Sequence, residues 1–162
     1  MIYADVLPEQ TLAEMTTPEA IAREGKWRAQ HPMDGVLIAE APGDPDADPS
    51  GLIGFAAFGP ERSEDDQPYQ ALPGPDDVGR AELYAIYVIP KRWATGTGRA
   101  LLDGVLTLAA NVGYTDISLW VLEANAQARR FYEQAGFRRT GESLILSRLG
   151  GVTEVRYRRL VG

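Results

Sequence analysis

The chain has 162 residues, 44% of them apolar and 24% charged, which is typical of a single globular domain. It contains no cysteine, which excludes disulfides, cysteine nucleophiles and cysteine-ligated metals. The single histidine, His31, disfavours a serine–histidine relay or a multi-histidine metal site. The formal net charge of -7 opposes binding to nucleic acid or to anionic membranes. No apolar stretch reaches the ~20 residues of a transmembrane helix, so we expect a cytoplasmic protein.

The first half of the chain predicts helices, a hairpin and a long loop. Apolar residues between 9 and 30 indicate two short helices with a break near Thr17. Residues 36–41 and 52–58 are short apolar runs separated by a segment rich in Pro, Asp and Gly, which is typical of a β-hairpin. Residues 59–80 are rich in Pro, Gly and acids without periodicity, so we expect a surface loop.

The centre of the chain has the order strand, glycine loop, helix, strand. Residues 81–89 form an apolar and aromatic run closed by Pro90, which is typical of a strand buried on both faces. Residues 99–112 carry apolar side chains at helical spacing, and Gly113 suits the C-terminal cap. Residues 117–122 form a second buried strand. Such a crossover is right-handed and pairs its two strands in parallel.

The last third predicts a helix and a hairpin. Asn125 is a good N-cap, and Gly136 suits the end of that helix. Residues 143–149 and 153–160 read as two strands separated by a turn-favouring Gly-Gly pair. The element order therefore predicts a mixed α/β domain over residues 1–162.

The segment 93–99 carries the clearest chemical signal. Gly96 and Gly98 lie between a buried strand and a helix, where backbone N–H groups converge on one point and the helix start adds positive charge. This predicts a pyrophosphate site, although glycines here equally serve close packing of helix on strand. Gly98 is followed by Arg99 and Ala100, so neither a Walker loop nor a dinucleotide fingerprint is complete.

Three motifs in a fixed order point to a family. They are Val-x-Pro at 88–90, Gly-x-Gly-Arg-Ala-Leu-Leu at 96–102 and Asn-x-x-Ala-x-x-Phe-Tyr-x-x-x-Gly-Phe at 125–137. In this order the chain resembles the GCN5-related N-acetyltransferase (GNAT) family over about residues 81–140. The resemblance implies a mixed, mostly antiparallel sheet with a central splayed parallel strand pair, flanked by helices on both faces. It also implies acetyl-CoA as co-substrate, no metal, and direct transfer of the acetyl group to a primary amine in a ternary complex.

The resemblance assigns cofactor contacts to three places. Backbone groups of Ile86, Tyr87 and Val88 would pair with the pantetheine amides, as an added strand pairs with a sheet edge. Asn125 would hydrogen-bond the pantetheine arm, a role compatible with helix capping. The pyrophosphate would be wrapped by the loop and the helix start, namely Trp93, Ala94, Thr95, Gly96, Thr97, Gly98, Arg99 and Ala100.

The resemblance also implies catalytic roles. Tyr132 matches the family's tyrosine near the thioester sulfur, where a phenol can protonate the leaving thiolate. The alternative for Tyr132 is a core aromatic residue, the role that we expect for Phe131. Glu82 lies where some members place the carboxylate that accepts the amine proton, and the alternative is a cap or a salt bridge with Arg80. An N–H near Val88 would stabilise the oxyanion. Weaker candidates for the acceptor side are Tyr84, Glu123 and Trp120.

The chain departs from the family pattern in two places. Members usually open this loop with Gln or Arg and carry a basic residue and an extra glycine before its first Gly, and here those positions are Trp93, Ala94 and Thr95. Phosphate-binding side chains would therefore have to be Lys91, Arg92 or Arg99. Members also usually begin with a strand and a helix before a segment resembling residues 3–8, and we expect that first helix to be shortened or missing.

Several alternatives stay open at this level. The acceptor is a small-molecule amine or a peptide N-terminus, and nothing in the sequence distinguishes them. A different class of function is a non-catalytic acyl-CoA-binding sensor or assembly module with the same fold. The arginine-flanked C-terminal hairpin predicts pairing across a homodimer.

Overall fold

The computed structural model describes residues 35–62 and 79–162. The helices expected between residues 9 and 30, the N-terminal segment expected to be shortened and most of the loop expected at 59–80 lie outside the described residues. Residues 59, 60 and 80, at the ends of that expected loop, belong to strands.

The described residues form a mixed α/β domain. In chain order the elements are β1 (Gly35–Glu40), β2 (Leu52–Pro60), β3 (Arg80–Val88), α1 (Thr97–Val112), β4 (Asp116–Leu122), α2 (Ala126–Gln134), β5 (Arg138–Leu146) and β6 (Val152–Leu160). Two short 3-10 turns, Pro90–Arg92 and Ser147–Leu149, follow β3 and β5.

The six strands form one sheet in the order β1-β2-β3-β4-β6-β5. Every neighbouring pair is antiparallel except β3 and β4, which are parallel. Their pairing runs only from Arg80 opposite Asp116 to Glu82 opposite Ser118, whereas β3 continues to Val88 and β4 to Leu122. The predicted splayed parallel pair at the centre of a mostly antiparallel sheet is therefore confirmed.

Helix α1 packs on the sheet through its apolar stripe. Its buried residues are Leu101, Leu102, Val105, Leu106 and Ala109. Gly104 allows a close approach to β1, because a Cβ at this position would lie 2.3 Å from Leu37 Cδ2. Tyr132 and Ala135, at the end of α2, join the same core.

The C-terminal hairpin differs from its predicted bounds. β5 begins at Arg138 rather than at residue 143 and ends at Leu146, before a 3-10 turn. Its first half is exposed, so it carries no apolar alternation from which a strand could be predicted. The Gly-Gly turn is confirmed, since Gly150 and Gly151 have φ values of +77° and +79°, which favour glycine.

Candidate functional site

The open edge of β3 is the first feature of the site. The Ile89 N–H donates to the Ile53 carbonyl at 2.9 Å, so the backbone groups of Ile89 point toward β2. Because backbone direction alternates along a strand, the N–H and C=O groups of Ile86 and Val88 point the other way, toward β4. Pairing with β4 has ended before these residues. They therefore border the gap between the splayed strands.

Tyr87 differs from its two neighbours. It pairs with Phe55 of β2, and by the same alternation its backbone groups point toward β2. Its ring lies 6.0 Å from that of Phe55, and burial raises the pKa of its hydroxyl. Of the three backbone positions predicted to pair with pantetheine, only Ile86 and Val88 face the gap.

A β-bulge separates the two halves of β3. The register with β2 shifts between Ala57 and Phe58, which leaves Tyr84 as the extra residue on β3. The Tyr84 hydroxyl donates to the Pro60 carbonyl at 2.6 Å. Bulges bend a strand and increase its twist, so this one favours the divergence of β3 from β4 after Glu82.

The glycine loop joins the end of β3 to α1. Ala94 has a φ of +57°, a left-handed conformation that glycine adopts more easily, and Gly96 has a φ of +91°. The Thr95 hydroxyl donates to the Arg92 carbonyl at 2.6 Å. The Ala100 N–H donates to the Gly96 carbonyl at 2.9 Å as the first bond of α1. The N–H groups of the preceding helical residues have no acceptor within the helix, as an anion site requires.

The loop contacts both β3 and α2. A Cβ on Gly98 would lie 3.6 Å from the Phe131 ring and 3.7 Å from Val88 Cγ2. The Trp93 indole N–H donates to the Val88 carbonyl at 2.8 Å. Phe131, predicted as core, is half-buried and lies against this loop. The open edge, the loop and α2 therefore meet at one place.

The three basic residues predicted to bind phosphate are each paired with a carboxylate. The pairs are Lys91–Asp46 at 2.5 Å, Arg92–Asp44, and Arg99–Asp103 at 2.9 Å. Asp44 and Asp46 lie in the β1–β2 loop, so this loop is tied to the turn that precedes the glycine loop.

Helix α2 positions two predicted site residues. Asn125 Oδ1 accepts from the Ala128 N–H at 3.0 Å, so the predicted cap is confirmed. Tyr132 is fully buried, with edge-to-face contacts to the Phe131 and Phe137 rings at centroid distances of 5.2 and 5.8 Å. Tyr132 thus has the surroundings of a core aromatic residue. Its neighbour Phe131 lies against the glycine loop.

Glu82 lies at the paired end of β3 and is 1% exposed. Arg62 binds both of its oxygens: the backbone N–H donates to Oε2 at 2.9 Å, and Nη2 and Nε donate to Oε1 at 2.5 and 3.2 Å. The Arg62 guanidinium also lies 4.5 Å from the Tyr84 ring centroid. The ion-pair partner is Arg62 and not Arg80, because residues 61 and 62 continue alongside β3 after β2 ends, where the Glu61 N–H donates to the Arg80 carbonyl.

A second charged cluster lies beside Glu82 and was missed by the sequence analysis. Glu61 accepts ion pairs from Arg156 and Arg158, each at 2.8 Å, and a hydrogen bond from the Ser118 hydroxyl at 3.0 Å. Arg158 also pairs with Asp116. Glu61 lies within residues 59–80, which the sequence predicts as a surface loop, so no role was expected for it. The signal that could have found the cluster is the two-residue spacing of the arginines on β6, which places them on one face.

The cluster determines the ionisation of Glu61. Burial raises the pKa of its carboxyl, but the hydrogen bond from Arg158 and the charges of Arg156 and Arg158 outweigh burial and hold the pKa below its usual value. Arg156 also stacks on Trp120, 5.1 Å from the ring centroid. Trp120, predicted to wall the acceptor side, therefore lies against a charged and hydrogen-bonded layer.

Glu123, the remaining candidate, directly follows the end of β4. Glu123 pairs with Arg139 at 2.9 Å, and both side chains are about half exposed. Within residues 35–62 and 79–162, no three acidic or histidine side chains are grouped so that they could hold a metal ion. Over the same ranges, no helix is long and apolar enough to cross a membrane.

Fold and site together define a class of protein. A splayed parallel pair leaves an open strand edge, and the edge ends at a glycine loop and a helix start, where backbone N–H groups lack helical acceptors. This geometry suits an extended, amide-bearing ligand with a phosphorylated end.

Comparison with known proteins identifies the family. Residues 2–137 match the profile of the Acetyltransferase (GNAT) family, and the chain belongs to this family. It is 32% identical over 123 residues to the N-acetyltransferase YuaI of Bacillus subtilis, covering 76% of this chain and 59% of that protein. It is also 32% identical over 117 residues to the mycothiol acetyltransferase of Kocuria rhizophila, covering 68% of this chain and 39% of that protein. The chain thus spans less than two thirds of these relatives.

Solved structures share the fold. A GNAT-family protein from Desulfovibrio desulfuricans superposes with a TM-score of 0.62 at 26% identity, covering 97% of this chain and 96% of that one. An acetyltransferase from Salmonella typhimurium, solved with its cofactor acetyl-CoA, gives a TM-score of 0.65 at 20% identity, covering 88% and 74%. The fold predicted from the sequence is confirmed.

Proposed function

We propose that this protein transfers an acetyl group from acetyl-CoA to a primary amine, either of a small molecule or of a peptide N-terminus. The observation that carries the proposal is the open edge of β3, where Ile86 and Val88 direct backbone groups into the gap and the edge ends at the glycine loop. These groups fit acetyl-CoA, because its pantetheine arm carries amides and its far end carries phosphates. The Salmonella structure, which holds acetyl-CoA on the same fold, supports the assignment.

The backbone of this chain would hold the ligand. Ile86 and Val88 would pair with the amides, and the N–H groups at the start of α1 would bind the pyrophosphate. Asn125, which caps α2, would also bind the arm. Bound acetyl-CoA supplies an activated thioester carbonyl that an amine can attack.

The geometry of β3 favours Ile86 over Val88 as the oxyanion donor. Val88 lies roughly 20 Å along the strand from Glu82, whereas Ile86 lies roughly 13 Å from it. A glutamate side chain with one bridging water reaches about 10 Å. Both positions lie beyond this reach, so the amine proton would pass to Glu82 through at least two waters, and the path from a carbonyl held at the Ile86 N–H is about 7 Å shorter than the path from Val88.

Proton transfer completes the proposed chemistry. Glu82 accepts the proton of the attacking amine, and the buried hydroxyl of Tyr132 donates one to the departing thiolate. Arg62 holds the Glu82 carboxylate in place through its ion pair. The same ion pair is the observation that favours the second candidate, a non-catalytic acyl-CoA-binding module in which Glu82 only anchors the end of β2.

Glu82→Gln separates the two roles. If Glu82 is the base, kcat measured by thiol release falls about 100-fold or more, because general bases contribute roughly 10²–10⁴. If Glu82 is only an anchor, the melting temperature falls while kcat per folded molecule stays near that of the wild type. Glu40→Gln, the same change on exposed β1, is the matched control. Binding of acetyl-CoA without thiol release from any amine in a panel would establish the non-catalytic module instead.

A further inference from the structure

The sheet has two faces, and α1 packs on one of them. The core beneath α1 contains the strand neighbours of Phe55 and Tyr87, namely Ala56, Ile86 and Val88. Because side chains alternate along a strand, Phe55 and Tyr87 stand on the second face. Ile38 of β1 stands there too, since its neighbour Leu37 packs against that core.

These three side chains form one apolar row across the second face (Ile38, Phe55 and Tyr87). Ile38 is opposite Phe55, and Phe55 is opposite Tyr87. The two rings lie 6.0 Å apart and are half-buried, and Ile38 is 60% exposed. Neighbouring strands are about 4.8 Å apart, so the row is roughly 10 Å long. It ends at Tyr87, whose neighbours on both sides direct backbone groups into the gap between β3 and β4.

A thioester held in that gap can be reached from the second face. The other face is closed by α1 and α2, because a Cβ on Gly98 would lie 3.7 Å from Val88 Cγ2 and 3.6 Å from the Phe131 ring. An amine that attacks the thioester therefore arrives over the second face. The group that the amine carries then lies beside Tyr87.

The charged groups of the second face are already in use. Glu82 pairs with Arg62, whose guanidinium also lies 4.5 Å from the Tyr84 ring centroid. Glu61 pairs with Arg156 at 2.8 Å. A second cationic group on the acceptor would have to break one of these ion pairs. An apolar group instead meets the exposed surface of the apolar row, over which no cation lies within residues 35–62 and 79–162.

We propose that the apolar row selects the acceptor, with Phe55 and Tyr87 as specificity-determining residues for a primary amine that carries an aromatic group close to its nitrogen. This inference rests on the proposed function and narrows its acceptor class. The nitrogen reaches the thioester in the gap while the aromatic group lies along the row, away from β4. An arylalkylamine and a peptide that begins with an aromatic residue share this chemistry.

Thiol release with matched amines tests the proposal. One pair is 2-phenylethylamine and ethylamine; the other is a dipeptide amide that begins with phenylalanine and one that begins with alanine. In at least one pair the aromatic member should have a kcat/KM about tenfold higher or more, because one methylene in an apolar pocket already changes this constant roughly 10- to 200-fold. The pair that shows the preference identifies the source of the acceptor. Equal kcat/KM values within both pairs would overturn the proposal.

Variants of β3 assign the preference to the row. Tyr87→Ala should lower the ratio of the two kcat/KM values roughly 2- to 10-fold, the range expected for one lost aromatic contact, and Tyr87→Phe should preserve the ratio because it keeps the ring. Tyr84→Ala is the matched control, since it removes the same side chain from the same strand but a ring that lies against Arg62. The ratio cancels changes in folded fraction, which a purely structural role would alter. An unchanged ratio in Tyr87→Ala, or an equal fall in both alanine variants, would contradict the proposal.

Saturation-transfer NMR on the CoA-bound chain separates this inference from the proposed function. The phenyl protons of at least one aromatic amine should receive saturation from the wild type and less from Tyr87→Ala, whether or not thiol is released. If no amine of either pair gives thiol release, the proposed acetyl transfer fails, and the NMR comparison still decides whether the row holds the phenyl group. Absence of saturation transfer from the wild type to both aromatic amines would refute the row on its own.

Discussion

Ala94 adopts a left-handed backbone conformation in the glycine loop. Its φ of +57° costs an L-residue roughly 1–2 kcal/mol. The chain keeps the loop conformation despite the alanine, which indicates that the surrounding contacts dictate it.

Ala94→Gly is expected to stabilise the fold by about 0.5–1 kcal/mol, because relief of the left-handed strain exceeds the added entropy of the unfolded chain. The melting temperature should rise by about 1–4 °C. Ala110→Gly, on the exposed side of α1, is the matched control and should lose about 1 kcal/mol. Destabilisation of both variants to the same extent would show that Ala94 carries no strain.

For single residues, the sequence predicted helix caps well and predicted the ion-pair partners of side chains poorly. The Asn125 cap followed from its own residue type and the helix after it. The partner of Glu82 did not, because Arg62 is 20 residues away in the sequence and lies beside Glu82 only through the pairing of β2 with β3. The sequence also did not show that the backbone groups of Tyr87 face β2 while those of Ile86 and Val88 face the gap. This direction depends on the register of β3 with β2.

At the scale of elements, Glu61 links the end of β2 to β6. Its pKa is held below the usual value of 4.5, so the stability that it contributes is complete above about pH 4.5 and is lost as the pH falls through the lower folded value. Glu61→Gln should cost about 2–4 kcal/mol near neutral pH, since it leaves Arg156 and Arg158 short of a partner.

Urea denaturation of both forms as a function of pH checks this expectation. The difference in unfolding free energy between wild type and Glu61→Gln should narrow as the pH falls below 4.5, because the wild-type carboxylate is then progressively protonated. A difference that stays constant down to strongly acidic pH would mean that Glu61 is not stabilised as a charge.

The β1–β2 loop and the glycine loop are coupled by charge. Asp46 pairs with Lys91, which the sequence suggested as a phosphate ligand. If acetyl-CoA binds as proposed, Asp46→Asn should tighten its binding about two- to fivefold at low salt, because an exposed ion pair of this kind is worth roughly 0.3–1 kcal/mol. Asp48→Asn is the control: it removes the same charge from the same loop, but its carboxylate bonds Ser50 and Leu52. Equal affinities of the two variants for acetyl-CoA would contradict a role of Lys91 in binding the phosphates.

Elements with strong periodicity were predicted well, and exposed ones were not. The apolar run of β3 and the stripe of α1 are buried, so the pattern that folds them is visible in the sequence. The first half of β5 pairs with β6 while its side chains face water, so no hydrophobic pattern marks it. The splay of β3 from β4 followed from family resemblance, and the bulge at Tyr84 that favours it has no signal of its own.

The whole molecule combines an acidic chain with a local site proposed to bind an anion. The net charge of -7 works against a phosphorylated ligand at long range, whereas the glycine loop and the start of α1 present backbone N–H groups at short range. Binding should therefore depend on the shape of the gap more than on overall charge. Homodimerisation through the C-terminal hairpin stays a prediction of the sequence.

Calorimetric titration of the purified chain with acetyl-CoA, with ATP and NAD as competing candidates, tests the central claim most directly. The account predicts saturable binding of acetyl-CoA at one site per chain and no comparable binding of the other two, because only acetyl-CoA pairs an extended amide arm with a phosphorylated end. Absence of acetyl-CoA binding, or equal binding of all three, would contradict it.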